Sequence, residues 1–267
     1  MSPEPDAQLA AAALSLVQRG LKQRTGLFVL GICGAQGSGK STLANWLASE
    51  LERLGVATAV LSLDDLYHTR AERQKMAREV HPLFATRGVP GTHDVALGLQ
   101  VIERLARGEA VNLPRFCKAQ DERAAPALWP KAPANCRVLL LEGWCVGALP
   151  QPEVEMLEPV NALETTADSQ GIWRRYANFC LAQDYQQLFD RVDALVMIAA
   201  PSFALVSKWR SQQERELPPG AAVMDEAGIA NFVQLYQRLT EWMLREMPAR
   251  AHLVARLDDE RRVLSLI

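Results

Sequence analysis

An open, parallel α/β sheet with helices on both faces is the fold class the sequence predicts, and three observations predict it. Short apolar runs alternate with amphipathic stretches along the chain, the rhythm that produces right-handed crossovers and parallel strands. A glycine-rich turn, Gly34 to Thr42, falls between the first apolar run and the amphipathic stretch that follows it. Acidic residues end two later apolar runs, Asp64 and Asp65 after one and Glu142 after the other. With 267 residues and no internal repeat, positions 1–267 are expected to form a single domain.

Residues 7–22 mix Ala and Leu with polar groups and read as an amphipathic helix packed outside the first strand. Leu27 to Ile32 is that strand, buried on both faces. Leu43, Trp46, Leu47, Leu51 and Leu54 recur at helical spacing until Gly55, and Val56 to Leu63 reads as a second buried strand. Thr69 and Glu72 form a capping box for a helix to about Val80. Pro82, Gly88, Pro90 and Gly91 then make residues 81–93 a loop, and Asp94 caps a helix running through Leu105. Residues 112–135, with four prolines, form a second irregular loop before a third strand over Arg137 to Leu141. Residues 147–170 read as a surface insertion, Ile172 to Phe189 as a helix and Ala194 to Ile198 as a fourth strand. Ser202 opens a charged helix, and Pro218, Pro219 and Gly220 break the chain before a helix from about Glu226 to Met247. Its Phe232, Leu235, Leu239, Trp242 and Met243 read as core, and His252 to Leu257 supplies a short final strand.

The turn reads Gly34, Ala35, Gln36, Gly37, Ser38, Gly39, Lys40, Ser41, Thr42, which fits the P-loop pattern G-x-x-x-x-G-K-[ST] on the strand, loop and helix it requires. Glycines there let successive backbone N–H groups converge on phosphate oxygens, and the helix start turns its positive dipole end toward them. Lys40 adds a mobile charge, and the Ser41 hydroxyl is placed to ligate a Mg²⁺ carried by the nucleotide phosphates. In an open parallel sheet the ligand lies beyond the carboxyl ends of the strands, so the acids there face it. Asp64 is expected to accept the proton of a substrate hydroxyl, and Glu142 to orient Mg²⁺ through water. Asp65 has two readings, water-mediated metal binding or capping of the next turn.

Transferring phosphate needs cations and exclusion of water, and the helix with Lys208, Arg210 and Arg215 is the expected lid, within a region of about 202–220. Glu214 and Glu216 give that face an alternative reading as a solvated surface. Arg87, His93, Arg115, Lys118 and Arg123 fall in the two irregular loops, and together they suit a small anionic or polyhydroxylated acceptor. For His81 and His252 structural roles are expected.

Composition removes other classes. Lys plus Arg number 29 against 31 Asp plus Glu, a net charge of −2, so no global basic field recruits nucleic acid. The 5 cysteines include no C-x-x-C pair, against a zinc knuckle or disulfide framework and in favour of a reducing, cytoplasmic compartment. No apolar run approaches membrane-spanning length, and the first residues lack a signal-peptide pattern.

Further strings carry a resemblance: Ser62-Leu63-Asp64-Asp65-Leu66-Tyr67, Thr86-Arg87-Gly88-Val89-Pro90-Gly91-Thr92-His93-Asp94, Leu113-Pro114-Arg115-Phe116, Leu141-Glu142-Gly143-Trp144-Cys145-Val146-Gly147 and Trp209-Arg210. With the P-loop these resemble the D-glycerate 3-kinase family, a branch of the P-loop kinases that includes uridine kinase, phosphoribulokinase and pantothenate kinase. The resemblance implies an ATP- and Mg²⁺-dependent kinase whose acceptor is a small hydroxy acid, D-glycerate. It places Asp64 at the base, Lys40 and Ser41 on nucleotide and metal and Glu142 as the third-strand acid, and it puts the lid basic residues, Arg210 among them, on the helix beginning at Ser202. Tyr67, Arg87, His93, Arg115 and Lys118 fall on the acceptor side. Two positions depart: Leu66 where the family usually has Phe, and Cys117 where it commonly has Asp, so that any substrate role of that carboxylate is either missing or moved to Asp121. The same machinery acting on a nucleoside, pantothenate or sugar phosphate is an alternative. A regulatory NTPase signalling to a protein partner is another, and it would not need Asp64.

Overall fold

The computed structural model describes residues 4–215 and 226–267. Helix α1 (Ala7–Gln23) is capped by Asp6, whose carboxylate accepts from the Gln8 and Leu9 amides. Strand β1 (Phe28–Gly34), helix α2 (Lys40–Arg53) and strand β2 (Thr58–Ser62) follow. A 3₁₀ turn over Leu63–Leu66 leads to α3 (Arg70–Glu79), where Thr69 and Glu72 form the expected capping box. Asp94 caps α4 (Val95–Ala106) through the Leu97 amide at 3.0 Å.

Residues 112–135 are more ordered than the breaker residues suggested. Strand β3 (Val111–Asn112) pairs with β6 (Lys131–Ala132), and between them β4 (Phe116–Cys117) pairs with β5 (Glu122–Arg123). Next come β7 (Val138–Gly143), α5 (Ala162–Ala167), α6 (Ile172–Cys180), a π-helical turn over Leu181–Tyr185, and α7 (Gln186–Phe189). Strand β8 (Ala194–Ala199), helices α8 (Phe203–Arg215) and α9 (Glu226–Glu246), and strands β9 (Leu253–Leu257) and β10 (Val263–Leu266) complete the chain. The lid expected over 202–220 coincides with α8 as far as Arg215, whereas Glu216, Pro218, Pro219 and Gly220 lie outside the described residues.

The sheet runs β10-β9-β8-β1-β7-β2. Its first five strands in chain order are parallel, and β10 adds an antiparallel edge that the sequence reading missed. Alternation along β1 builds a core on each face. Phe28, Leu30 and Ile32 pack with α1 and α2, while Val29 and Cys33 join α4, α6 and α9 on the other side.

The segment read as a surface insertion is instead anchored inside. Glu164 is 0% exposed and Asp168 2%. Each has an arginine partner, Glu164 with Arg238 at 2.6 Å and Asp168 with Arg174 at 3.1 Å, which is what allows a carboxylate to be buried.

Candidate active site

Strand β1 delivers the P-loop to the carboxyl edge of the sheet. Gly37 and Gly39 take φ of 79° and 91°, the left-handed region in which a Cβ is costly. A Cβ on Gly34 would stand 2.5 Å from Ser38 Oγ and 3.2 Å from Ile198, so the loop can close on the sheet only with glycine there. Lys40 and Ser41 open α2, and the turn leaves buried polar atoms without partners, Ser38 Oγ and Gln36 Oε1. Unsatisfied groups of this kind mark a place built for a polar ligand.

Glu142 sits between Ile32 of β1 and Ser62 of β2, so the parallel register carries its carboxylate to the P-loop. Ser41 Oγ donates to Glu142 Oε1 at 3.1 Å, and Oε2 of this 6% exposed carboxylate has no partner. A hydroxyl and a carboxylate with an open, buried oxygen suit a hard divalent cation that takes its remaining ligands from water and phosphate.

Asp64 occupies the 3₁₀ turn after β2, its amide held by Ser62 Oγ at 3.3 Å. Oδ1 accepts from the Tyr67 hydroxyl at 3.0 Å, and Oδ2 pairs with Lys118 Nζ at 2.5 Å. Burial alone would raise its pKa, but Lys118 and Lys40, with the Lys118 hydrogen bond, hold it down at about 2, so the carboxylate is ionised at any working pH. Burial and the Asp64 charge push the Tyr67 phenol well above its usual value, which keeps it a donor.

These groups share one cleft of about 200 Å³. Gln36, Gly37, Lys40 and Ser41 form its floor, and Ser62, Asp64 and Glu142 stand along the strand ends. Tyr67, Arg87 and Lys118 close one wall, while Arg210 of α8 with Phe232 and Tyr236 of α9 close the other. Arg210 Cζ lies 5.5 Å from the centre of the Phe232 ring. Arg87 is ion-paired with Asp121 and lies over the Phe116 ring at 5.6 Å. Lys208 of α8 lies away from this cleft, lining a surface pocket with Asp259, Glu260 and Arg261.

Asp65, Arg115, His93 and Arg123, all read as candidate site residues, do not line the cleft. Asp65 accepts from Arg115 at 3.0 Å and from the Phe116 amide at 3.0 Å, so it ties the β4–β5 ribbon to the turn, and its neighbour Arg115 is spent on the same tie. Adjacent residues of a tight turn point apart, which is why Asp64 and Asp65 divide in this way. His93 is 3% exposed, stacks on Tyr67 at 4.4 Å and has Nδ1 2.5 Å from the Tyr185 hydroxyl. Burial holds it at about 3, hence neutral, and it backs the Tyr67 ring rather than reaching the cleft. Beyond it a separate cavity of about 400 Å³ opens between α3, α4 and α6. Arg123 donates to Tyr67 O and Asp94, and Asp121 pairs with Arg73 and Arg87, so both shape the loop.

Conversely, Gln36 was read only as part of the P-loop, while Phe232 and Tyr236 were read as core or passed over, because helical periodicity cannot separate a face that packs on the sheet from one that overhangs a cleft. The signal lay in Gly88. Its φ is 145°, and a Cβ there would come within 2.2 Å of the Tyr236 hydroxyl, so a glycine in the first loop marks where α9 seats. His81, which accepts from the Leu83 amide and contacts Ala167 O, and His252, which accepts from the Leu195 amide, have the structural roles expected of them.

The Phosphoribulokinase / Uridine kinase family profile matches residues 29–149. A solved D-glycerate 3-kinase from Cryptococcus neoformans var. grubii superposes with a TM-score of 0.82 at 23% identity, over 98% of this chain and 99% of that one, a likeness of fold. Fold and cleft together define a P-loop kinase that acts on a small molecule. An uncharacterized kinase of Schizosaccharomyces pombe is 34% identical over 236 residues, covering 85% of this chain and 84% of that protein. The chloroplastic D-glycerate 3-kinase of Arabidopsis thaliana is 30% identical over 227 residues, 78% of this chain and 46% of that protein, so the present chain matches less than half of that relative's length. The chain belongs to one family with that Schizosaccharomyces pombe kinase, among the P-loop kinases. Among the described residues no helix is long and apolar enough to cross a membrane.

Proposed function

We propose that this chain transfers the γ-phosphoryl group of ATP to a hydroxyl of D-glycerate. The observation that carries this reading is Asp64, an ionised carboxylate standing in one cleft with the P-loop lysine and with Arg87, Lys118 and Arg210. A base and several cations around a small space suit an acceptor that carries both a hydroxyl and a carboxylate. The Arabidopsis relative, a D-glycerate 3-kinase, supports the same acceptor. The aromatic residues of the first loops offer no nucleobase platform, since Phe84 is 0% exposed and Phe116 9%.

In the transfer, the acceptor oxygen bonds to the γ-phosphorus, the bond from that phosphorus to the bridging oxygen breaks, and ADP leaves with the electron pair. The hydroxyl proton passes to Asp64 late, as the new bond forms. Lys40 and the P-loop amides hold the phosphates, and Arg210 stands on the side where α8 closes the cleft. Ser41 and Glu142 would hold Mg²⁺, which neutralises phosphate charge when bound. Glu142→Gln is therefore expected to raise the Mg²⁺ concentration needed for half-maximal rate by about 10-fold or more, with the acceptor KM little changed. A Mg²⁺ titration of the rate checks this, and an unchanged midpoint would remove Glu142 from the metal site.

The function itself is tested by ADP release with D-glycerate, other hydroxy acids, nucleosides and pantothenate, using Lys40→Ala as the blank. D-glycerate is expected to stimulate strongly and the nucleosides not at all. Stimulation by a nucleoside or pantothenate instead, or turnover that responds only to a protein partner, would overturn the reading.

A further inference from the structure

Lys118 is misplaced for a residue that only binds substrate. Its side chain is 62% exposed, at the end of the short β4–β5 ribbon, yet its ammonium is 2.5 Å from Asp64 Oδ2. The other oxygen of Asp64 is taken by the Tyr67 hydroxyl at 3.0 Å. Both oxygens of the carboxylate that would accept the proton are thus engaged by side chains of the protein itself. The two contacts differ in kind. Tyr67 is 3% exposed and backed by the His93 ring, so its hydroxyl is fixed, whereas Lys118 reaches in on a flexible, solvated stem. An ammonium on a mostly solvated, rotatable stem can pass from one carboxylate to another. Neighbouring Arg87 is already paired with Asp121, which leaves Lys118 the more mobile cation on that wall.

We propose that Lys118 is a carboxylate-selecting latch: without acceptor its ammonium covers Asp64, and the carboxylate of an arriving hydroxy acid draws it off the base and onto itself. This rests on the hydroxy-acid reading of the site. The exchange replaces one Lys–carboxylate pair by another, so it proceeds at little net cost, and it frees an Asp64 oxygen for the hydroxyl proton only when an acid is bound. A neutral polyol of the same shape, such as glycerol, offers the ammonium nothing better than Asp64. Water entering alone meets a covered base, and ATP is spared from idle hydrolysis.

The test measures initial rates for wild type, Lys118→Met and Lys118→Arg with D-glycerate, with glycerol and with no acceptor. For Lys118→Met the KM for D-glycerate is expected to rise by about 30-fold or more while kcat changes far less, which marks lost ground-state recognition rather than lost chemistry. The preference for D-glycerate over glycerol shrinks by a similar factor, and acceptor-free hydrolysis of ATP rises several-fold. Lys118→Arg keeps the preference. An unchanged preference in Lys118→Met, no rise in acceptor-free hydrolysis, or a fall in kcat at constant KM would each overturn the latch. The last would place the ammonium on the transferring phosphate instead. Failure of the underlying substrate reading shows separately, in wild type, as an enzyme that ignores hydroxy acids altogether.

Discussion

Asp64→Asn is expected to lower acceptor-dependent kcat by about 10²- to 10⁴-fold, the range contributed by a positioned general base, with ATP affinity nearly unchanged. The asparagine keeps the shape of the side chain and can still accept from Tyr67, so the turn after β2 survives. What it loses is the charge that receives the proton and that pairs with Lys118. Lys40 and the P-loop amides are untouched, so nucleotide binding measured by fluorescence or calorimetry separates the two effects. The pH dependence follows from the same charge. Folding lowers the Asp64 pKa to about 2 from 3.8, because Lys118 and Lys40 outweigh the opposing effect of burial. A group with a depressed folded pKa contributes stability that is fully present above its unfolded value and is lost as pH falls through its folded one. Any acid limb from Asp64 therefore lies near pH 2 in the free enzyme, and a limb seen nearer neutrality belongs to another group. Turnover in Asp64→Asn within a few-fold of wild type would leave Asp64 a structural turn residue.

What the sequence revealed and what it hid divide along a physical line. The P-loop, the capping box at Thr69 and Glu72 and the Asp94 cap are local, each satisfied within a few residues by backbone groups, so spacing alone specifies them. The strand ends were legible for a similar reason: an apolar run stops where polar residues begin, which put Asp64 and Glu142 at one edge, although β7 is buried on both faces and the edge strand β2 is fully buried on only one. Direction within a turn is another matter. Asp65 and Arg115 were grouped with the site by type, yet they bind each other across 50 residues, a pairing no local pattern records. His93 likewise supports Tyr67 from behind because a strand-like bridge joins the two positions. The α9 wall of the cleft was hidden because Tyr236 lies on a stripe that reads as core throughout. The charged residues of 147–170 misled most, since charge in sequence signals solvent until a distant arginine is known.

That last pairing supports the largest stability prediction. Arg238 of α9 donates through Nε to Glu164 Oε1 at 2.8 Å and through Nη2 to Oε2 at 2.6 Å, a two-pronged pair. The guanidinium also donates to the carbonyls of Glu155 and Glu158, so one side chain gathers the whole 153–164 segment onto α9. Glu164 is 0% exposed, and Arg238→Met would leave its carboxylate buried with only the Val160 amide at 3.0 Å and no cation. Breaking such a pair from one side costs about 3–5 kcal/mol, a large part of the stability of a typical domain. Urea unfolding is expected to show that loss as a shifted midpoint at a similar slope. The double variant Arg238→Met with Glu164→Leu removes both charges and is expected to recover most of it, since the penalty comes from the stranded carboxylate and not from a missing attraction. Because Tyr236 lies two residues before Arg238 on the same helix, the single variant should also weaken acceptor use through the displaced cleft wall, and the double variant should restore it. A single variant costing under about 1 kcal/mol would mean that α9 is held by its apolar face alone and that the pair is incidental.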